Sequence, residues 1–143
     1  MNVVIEPFSN ERHREAVVEL WASVFAYESP HNQPELVIDK KLAMDDRLFF
    51  VAISDDLVVG SIMAGYDGHR GWLYSVAVMP EFRDRGIGTA LVKEAEQALA
   101  RLGCLKINQQ IVEGNEGVAK FYEALGYAPE VRVSMGKRLP QSG

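Results

Sequence analysis

Three apolar runs in the middle of the chain are joined by loops that are too short to cross over a sheet. The runs are Leu48–Ile53, Leu57–Tyr66 and Trp72–Val78, and the shortest loop centres on Asp55 and Asp56. Parallel neighbours need a connection of about a dozen residues or more, whereas antiparallel neighbours can be joined by a tight turn. The three runs are therefore predicted to form consecutive antiparallel strands.

On both sides of these strands, helical and strand periodicities alternate. Apolar residues recur on one helical face from Ile87 to Leu102, and Gly103 marks the end of that helix. The same criteria predict the other elements: a strand over Asn2–Pro7, helices over Glu11–Phe25 and then up to about Met44, a strand over Cys104–Val112, a helix over about Gly117–Leu125 and a strand over Val131–Arg138. The order β-α-α-β-β-β-α-β-α-β indicates an α/β (α+β) fold class, with a mixed, mostly antiparallel central sheet flanked by helices.

Size and composition limit which kinds of protein this chain can be. Its 143 residues predict a single domain over 1–143, and its formal net charge of −5 argues against a nucleic-acid or anionic-membrane binder. The single cysteine, Cys104, excludes an internal disulfide, and His13, His31 and His69 lie far apart in the sequence. With no secretion signal and no long apolar stretch visible, we expect a cytoplasmic protein that binds no metal, no nucleic acid and no membrane.

The segment Val76–Thr89 joins the end of a predicted strand to the start of a predicted helix through a loop with two glycines. The first N–H groups of a helix lack intrahelical partners and carry the positive end of the helix dipole. Arg83 and Arg85 add fixed positive charge beside Gly86, where the missing side chain leaves room for close approach. The segment is therefore suited to bind a phosphate or pyrophosphate group.

Two familiar nucleotide-binding motifs do not fit this segment. A Walker P-loop has Lys and then Ser or Thr after its last glycine, but here Gly88 is followed by Thr89 and Ala90. A dinucleotide-binding fingerprint has a third glycine where Leu91 stands, and an acidic residue about 20 positions after the loop, where this chain has Lys106, Ile107 and Asn108. Taken alone, the two glycines could equally serve only to let the helix pack closely.

A wider pattern around the glycines resembles a known family. The acetyl-CoA motif of the GCN5-related N-acetyltransferase (GNAT) superfamily is similar to the spaced residues Val76, Val78, Pro80, Arg83, Gly86 and Gly88. The second motif of that family resembles the segment that runs from Asn115 through Phe121, Tyr122, Glu123, Ala124, Leu125 and Gly126 to Tyr127. The hairpin sequence at 66–71 further resembles small stand-alone bacterial members of the YpeA type.

The resemblance implies the GNAT fold along essentially the whole chain, an N-acetyltransferase activity and acetyl-CoA as co-substrate. Backbone groups of Val76 and Val78 would pair with the pantetheine arm, which lies like an extra strand. Backbone amides of the loop would hold the pyrophosphate, and Asn115 would bind pantetheine or mark the splay between strands. The implied cofactor-binding residues are Val76, Ala77, Val78, Arg83, Arg85, Gly86, Ile87, Gly88, Thr89, Asn115 and Tyr122.

Tyr122 is also the implied catalytic residue, because its phenol would donate a proton to the leaving CoA thiolate. Its position in the sequence is compatible with that role, since Val118, Phe121, Tyr122 and Leu125 form one helical stripe. Without the resemblance, Tyr122 is an aromatic core residue whose hydroxyl bonds a carbonyl, and Asn115 is a helix cap.

The general base is where this chain departs from the family pattern. In relatives that acetylate protein N-termini a glutamate lies on the strand before the second motif, and Gln110 stands at that position here. A glutamine cannot accept a proton at neutral pH, which leaves Tyr66, Asp67, His69, Glu113 or a chain of water molecules. Tyr66 and Asp67 could equally be turn residues. The same departure supports an alternative function, a catalytically weak acyl-CoA-binding or regulatory module.

The expected acceptor is a primary amine of a small molecule or of a protein or peptide. The segment Trp21–Gln33, which includes Tyr27 and His31, is expected to contribute to its pocket. Trp21 and Phe25 lie four residues apart on one helical face, so core packing is the expected role of both. An exposed sheet edge or the last strand could pair two copies of the chain, which makes a homodimer a further expectation.

Overall fold

The computed structural model describes residues 2–25, 33–111 and 116–140, and up to α4 the helices and strands follow the predicted order. The elements are β1 (Val3–Pro7), α1 (Asn10–Val24), α2 (Pro34–Met44), β2 (Phe49–Ser54), β3 (Leu57–Tyr66), β4 (Gly71–Val78), α3 (Ile87–Arg101), β5 (Ile107–Asn108) and α4 (Glu116–Ala124). The chain separates into two compact units, Met1–Gln110 and Ile111–Gly143. The first unit holds the whole sheet with α1, α2 and α3, and the second holds α4.

The sheet follows the order of the chain, β1-β2-β3-β4-β5. Its first four strands are antiparallel to their neighbours, and β5 runs parallel to β4. The mixed, mostly antiparallel sheet predicted from the short loops is therefore confirmed. The central strands β2 and β3 are buried along most of their length, because helices cover both faces of the sheet.

Neighbouring residues of β3 show which helix covers which face. A side chain at Gly60 would contact Leu91 and Ile87 of α3, whereas the adjacent Ser61 bonds to Trp21 of α1. Successive residues of a strand point to opposite faces, so α3 packs on one face and α1 on the other. The α1 face carries the apolar core cluster, in which α2 takes part as well: Val17, Leu20, Trp21, Ile38, Phe49, Val51, Val58, Met63 and Ala77.

The two long helices form as the sequence predicts. The side chain of Ser9 caps α1 by accepting from Arg12 N–H, and the indole of Trp21 stacks on Phe49 at 5.8 Å. Core packing of Trp21 is thus confirmed. The buried face of α3 includes Ile87, Leu91, Ala95, Ala98 and Leu99. Leu102, assigned to that face from the sequence, is instead exposed, because the helix ends at Arg101 before Gly103 turns the chain at a φ of 91°.

Two strand predictions in the last third of the chain are wrong. One strand is shorter than expected, and the other does not form. The strand expected over Cys104–Val112 is confined within the described residues to Ile107–Asn108. The final strand expected over Val131–Arg138 has no regular secondary structure, and its apolar side chains are exposed. Alternating apolar residues favour a strand only where a neighbouring strand accepts their backbone hydrogen bonds. In the second unit α4 forms as predicted, and Gly126 ends the segment at a φ of 96°.

No helix among the described residues is long and apolar enough to cross a membrane. The single-domain assignment stays a prediction.

Gly71 is a position where this fold has no room for a side chain. A Cβ there would lie 2.9 Å from Leu99 Cδ1, on the buried face of α3, and 2.9 Å from Cys104 Sγ, just after that helix. We expect Gly71→Ala to lower the free energy of unfolding by about 1–3 kcal/mol, measured by urea denaturation. The control Gly136→Ala has no atom within 4 Å of its new Cβ and should change stability by less than about 0.5 kcal/mol. Equal stability of the two variants would contradict this packing.

Candidate active site

The end of β4 leads directly into α3 through a loop that is held to the sheet by backbone hydrogen bonds. Met79 N–H donates to Val59 O at 2.8 Å, which extends the β3–β4 pairing beyond the strand. A single 3-10 turn over Pro80–Phe82 follows, and Phe82 N–H donates to Met79 O at 2.9 Å. The loop therefore has a defined path from Val78 to the first turn of α3.

Gly86 forms the N-cap of α3 in a left-handed conformation, with a φ of 80°. No side chain caps the helix there, and its first intrahelical bond runs from Ala90 N–H to Gly86 O at 3.0 Å. The amides of the first turn, from Ile87 to Thr89, are thus not used within the helix. A Cβ built at Gly86 would meet no atom within 4 Å, so the space in front of these amides is open. This arrangement suits an anionic group.

Two arginines border the start of α3. Arg83 donates from Nε to Val78 O at 3.3 Å, which ties its side chain to the end of β4. The guanidinium of Arg85 lies 5.4 Å from the centre of the Phe82 ring, within cation–π range. Both side chains are exposed and place positive charge near the helix N-terminus.

Gly60 sets how closely α3 approaches the sheet. A Cβ at this position of β3 would lie 3.0 Å from Ala77 O and 3.0 Å from Leu91 Cδ1. The absence of a side chain lets the first turns of α3 pack directly over the end of β4. The backbone of Val76–Val78 and the amides of the α3 N-terminus are therefore brought together within one unit.

A β-bulge interrupts β4 just before this segment. Ser61 pairs with Ala77 and Met63 with Tyr74, so Ile62 stands opposite two residues, Ser75 and Val76. Ser75 has a φ of 53°, a left-handed conformation that is uncommon for a residue other than glycine. The bulge reverses the faces of β4: Gly71 faces α3, but Ala77, six residues later, belongs to the core cluster under α1.

The bulge also turns one peptide group out of the strand pattern. The side chain of Ser61 donates from Oγ to Ser75 O at 3.1 Å. Because the peptide bond is planar and trans, the N–H of Val76 points to the opposite side of that peptide from its carbonyl. The amide of Val76 is thus directed away from Ser61. Sequence periodicity missed Ser61 and Ser75, since nothing in it marks a bulge.

One edge of β4 is open beside the bulge. Strand β5 pairs with β4 only at Gly71 and Trp72, and Gly71 N–H donates to Lys106 O at 2.8 Å. From Leu73 to Val78, no strand in the described part of the chain pairs with β4 on that side. An open strand edge is a template for an extended ligand that carries amide groups.

The hairpin between β3 and β4 lies at the other end of β4 from the glycine loop, and its polar residues hold the turn. Asp67 Oδ1 accepts from the N–H groups of His69 and Arg70, both at 2.7 Å, and these bonds lower the pKa of its carboxyl group. Tyr66 donates from its hydroxyl to Gly68 O at 3.3 Å. The turn role considered for Tyr66 and Asp67 is therefore the one observed, and a carboxylate with a lowered pKa is a poor base.

A second polar group, not anticipated from the sequence, lies beside the bulge on the face covered by α2. The buried ammonium of Lys41 donates to Ala64 O, to Asp46 Oδ2 at 2.7 Å and to the Tyr74 hydroxyl at 3.2 Å. Tyr74 immediately precedes Ser75, and about 40% of its surface is exposed.

Among the described residues, no group of three or more His, Cys, Asp or Glu side chains is arranged to hold a metal ion.

Tyr122 belongs to α4 in the second unit. Its ring is buried and packs edge-on against Phe121 at 5.0 Å and Tyr127 at 5.5 Å. Burial raises the pKa of its hydroxyl to about 12, so the phenol stays protonated throughout the neutral range. Four other residues considered from the sequence lie outside the described residues: Tyr27, His31, Glu113 and Asn115.

A model of the acetyltransferase (GNAT) family matches residues 14–127, which include the bulge, the glycine loop and α4. The chain belongs to the GNAT acetyltransferase family. It is 44% identical over 125 residues to a protein named as an acetyltransferase in Pectobacterium atrosepticum, with 87% of this chain and 88% of that protein covered. An uncharacterized N-acetyltransferase of Yersinia pestis is 42% identical over the same shares of each chain.

Solved structures agree on the fold. The PaiA N-acetyltransferase of Thermoplasma acidophilum, crystallised with coenzyme A, matches with a TM-score of 0.80 at 21% identity, over 93% of this chain and 94% of that one. The resemblance drawn from the two sequence motifs is thereby confirmed, and the protein is an N-acetyltransferase of the GNAT family. The individual cofactor-binding and catalytic residues stay predictions.

The conformation of Ser75 gives a direct test of the bulge. We expect Ser75→Val to lower the free energy of unfolding by about 1–3 kcal/mol, because a β-branched residue is strained at a φ of 53°. Ser75→Gly is the matched control, since glycine adopts this conformation freely and should change stability by less than about 1 kcal/mol. Urea denaturation of both variants measures the difference, and a valine variant as stable as the glycine variant would show that β4 runs straight through this position.

Proposed function

We propose that this GNAT protein transfers an acetyl group from acetyl-CoA to a primary amine of a small molecule or of a protein or peptide. The observation that carries the proposal is the uncapped N-terminus of α3 at Gly86, which directly follows a bulged strand with an open edge. The first feature suits a pyrophosphate and the second suits the amides of a pantetheine arm. Arg83 and Arg85 supply positive charge next to the helix start.

The residues of the β4 edge and of the glycine loop suit CoA in their charge and in the room that they leave for it. Backbone groups of Val76 and Val78, on either side of Ala77, would pair with the pantetheine amides along the open edge. Amides from Arg85 through Ile87 and Gly88 to Thr89 would hold the pyrophosphate, for which the open space at Gly86 leaves room. The crystallised PaiA relative, which has the same fold and contains coenzyme A, supports this choice of ligand. Asn115 stays a proposed pantetheine ligand.

Electrostatic stabilisation of the thioester oxygen would come from the bulge. As an amine attacks the thioester carbon, negative charge develops on that oxygen, and a fixed N–H donor lowers the barrier. The N–H of Val76 is the donor that we assign to this task, because it belongs to the peptide turned out of the strand pattern.

Tyr122 would serve the leaving group. Its pKa of about 12 keeps the phenol protonated, but a thiol has a pKa of only about 8.5. Complete proton transfer to the thiolate is therefore unfavourable, whereas a hydrogen bond from the phenol stabilises the thiolate as it forms. We therefore assign Tyr122 the role of hydrogen-bond donor to the departing sulfur.

The proton of the acceptor amine has no side-chain base assigned to it. Gln110 stands where family members that acetylate protein N-termini are expected to have glutamate, and Asp67 and His69 lie on the hairpin at the far end of β4. We propose that the amine loses its proton to water, so that the rate rises with pH until the amine is neutral. A cytoplasmic location and a homodimer remain predictions from the sequence.

Replacement of Gly86 tests the pyrophosphate site. We expect Gly86→Glu to weaken CoA binding at least tenfold, because the new carboxylate would fill the open space in front of the α3 amides and repel the anion. Isothermal titration calorimetry with CoA measures the dissociation constant. Gly103→Glu is the matched control: it adds the same charge at another left-handed glycine, beyond the opposite end of α3, and should bind as the wild type does. Undiminished binding by Gly86→Glu would place the pyrophosphate elsewhere.

Replacement of Tyr122 tests the leaving-group role. We expect Tyr122→Phe to lower kcat by about 10- to 100-fold and to leave the dissociation constant of CoA within about twofold. An assay that follows free thiol over a panel of amines measures turnover, and Tyr127→Phe controls for loss of a neighbouring hydroxyl. In the wild type, ionisation of Tyr122 should cause no loss of kcat between pH 7 and about pH 10, since its pKa is about 12. CoA binding without transfer to any amine would favour the alternative acyl-CoA-binding module.

A further inference from the structure

A buried chain of two hydrogen bonds links α1 to the bulge in β4. Trp21 donates from Nε1 to Ser61 Oγ at 2.8 Å, and Ser61 donates from Oγ to Ser75 O at 3.1 Å. Trp21 and Ser61 are both 0% exposed. The donor and acceptor of each hydrogen bond are fixed, because an indole nitrogen only donates and a serine hydroxyl has one proton to give.

The two polar groups lie in an otherwise apolar layer. Val51, which pairs with Ser61 across β2 and β3, and Val17, one helical turn before Trp21, both belong to the apolar core cluster, and their side chains carry no hydrogen-bonding group. A buried donor or carbonyl without a partner is costly, so each member of the chain depends on the next. Removal of the Ser61 hydroxyl would leave both the Trp21 indole and the Ser75 carbonyl without this bond.

The chain of hydrogen bonds ends on the Ser75–Val76 peptide group, whose orientation matters most to the proposed reaction. The Ser75 carbonyl is turned toward Ser61 while Ser75 is held at a φ of 53°, and the planar peptide then directs the Val76 N–H to the other side. If the carbonyl were released, this strained peptide could rotate toward ordinary strand geometry. The Val76 N–H would turn with it.

We propose that Trp21 and Ser61 are positioning residues for acetyl transfer, which fix the Ser75–Val76 peptide so that the Val76 N–H faces the acyl oxygen. The proposal rests on the proposed function for its catalytic consequence. Neither residue touches the substrate: they act through Ser75, from the core side of the sheet. Trp21, for which core packing was the expected role, thus has a second role.

The test compares variants that break the chain at different points. Ser61→Ala removes the hydroxyl, Ser61→Thr keeps it, and Trp21→Phe keeps a ring against Phe49 but removes the indole N–H. Ser9→Ala is the control, because Ser9 also loses a hydroxyl that bonds a backbone group, Arg12 N–H at 3.4 Å, but lies at the start of α1, away from the bulge. For each variant, kcat is measured with the best amine of the panel and the dissociation constant of CoA by calorimetry.

We expect Ser61→Ala to lower kcat by about 10- to 100-fold, as loss of an aligned oxyanion donor does, with CoA binding within about threefold. Trp21→Phe should lower kcat less, because the Ser61–Ser75 bond remains, and Ser61→Thr should restore a large part of the rate. Ser9→Ala should leave kcat unchanged. A kcat that is unchanged in Ser61→Ala, or that falls only in proportion to the folded fraction in all core variants, would overturn the proposal.

A second measurement needs no turnover. In ¹⁵N-labelled protein, Ser61→Ala should shift the amide resonances of Ser75 and Val76, and Ser9→Ala should not. If the wild type acetylates no amine but Ser61→Ala still moves these amides, the proposed function fails while the positioning role stands. If the wild type is active and the Val76 amide is unchanged in Ser61→Ala, the positioning role fails while the function stands.

Discussion

The bulge in β4 is the feature on which the rest of this structure depends. By opposing Ser75 and Val76 to the single residue Ile62, it exchanges the two faces of the strand half-way along its length. The first half of β4 packs Gly71 against α3, and the second half packs Ala77 under α1. Both layers of the first unit are therefore built around the same irregular peptide. A straight strand would send Ala77 into the wrong layer.

The glycines act together with the bulge rather than as a separate motif. Gly60 brings α3 close to the end of β4, and Gly86 starts that helix without a side chain in front of its amides. The close approach sets the distance between the helix start and the strand backbone, while the bulge sets the direction of the Val76 amide. Under the proposed function, the pyrophosphate of CoA would bind at the helix start and its chain of amides along the strand edge. The two features must then lie close together, as the packing at Gly60 allows.

The sequence was sufficient to predict the parts of the fold that short-range rules govern. The two-residue turn at Asp55-Asp56 made β2 and β3 antiparallel, and helical periodicity with Gly103 placed α3 almost to the residue. Long-range pairing was beyond such rules. Leu73, Ser75 and Ala77 continue a regular alternation, so nothing in the letters marks the bulge between them. The alternation at 131–138 is equally regular, yet those residues form no strand within the described part of the chain.

The candidate site was predicted in the same uneven way. The glycine loop could be found because helix starts and glycines have local signatures, but the buried bond between Trp21 and Ser61 joins residues 40 positions apart. The candidate bases matter for the proposed chemistry. Position 110 is a glutamine and Asp67 is fixed in a turn with a lowered pKa, so neither residue is a ready base. Under the proposed function, catalysis then depends on the oriented Val76 amide and on a supply of neutral amine. The residues that hold that amide still would thus affect the rate more than any group that accepts a proton.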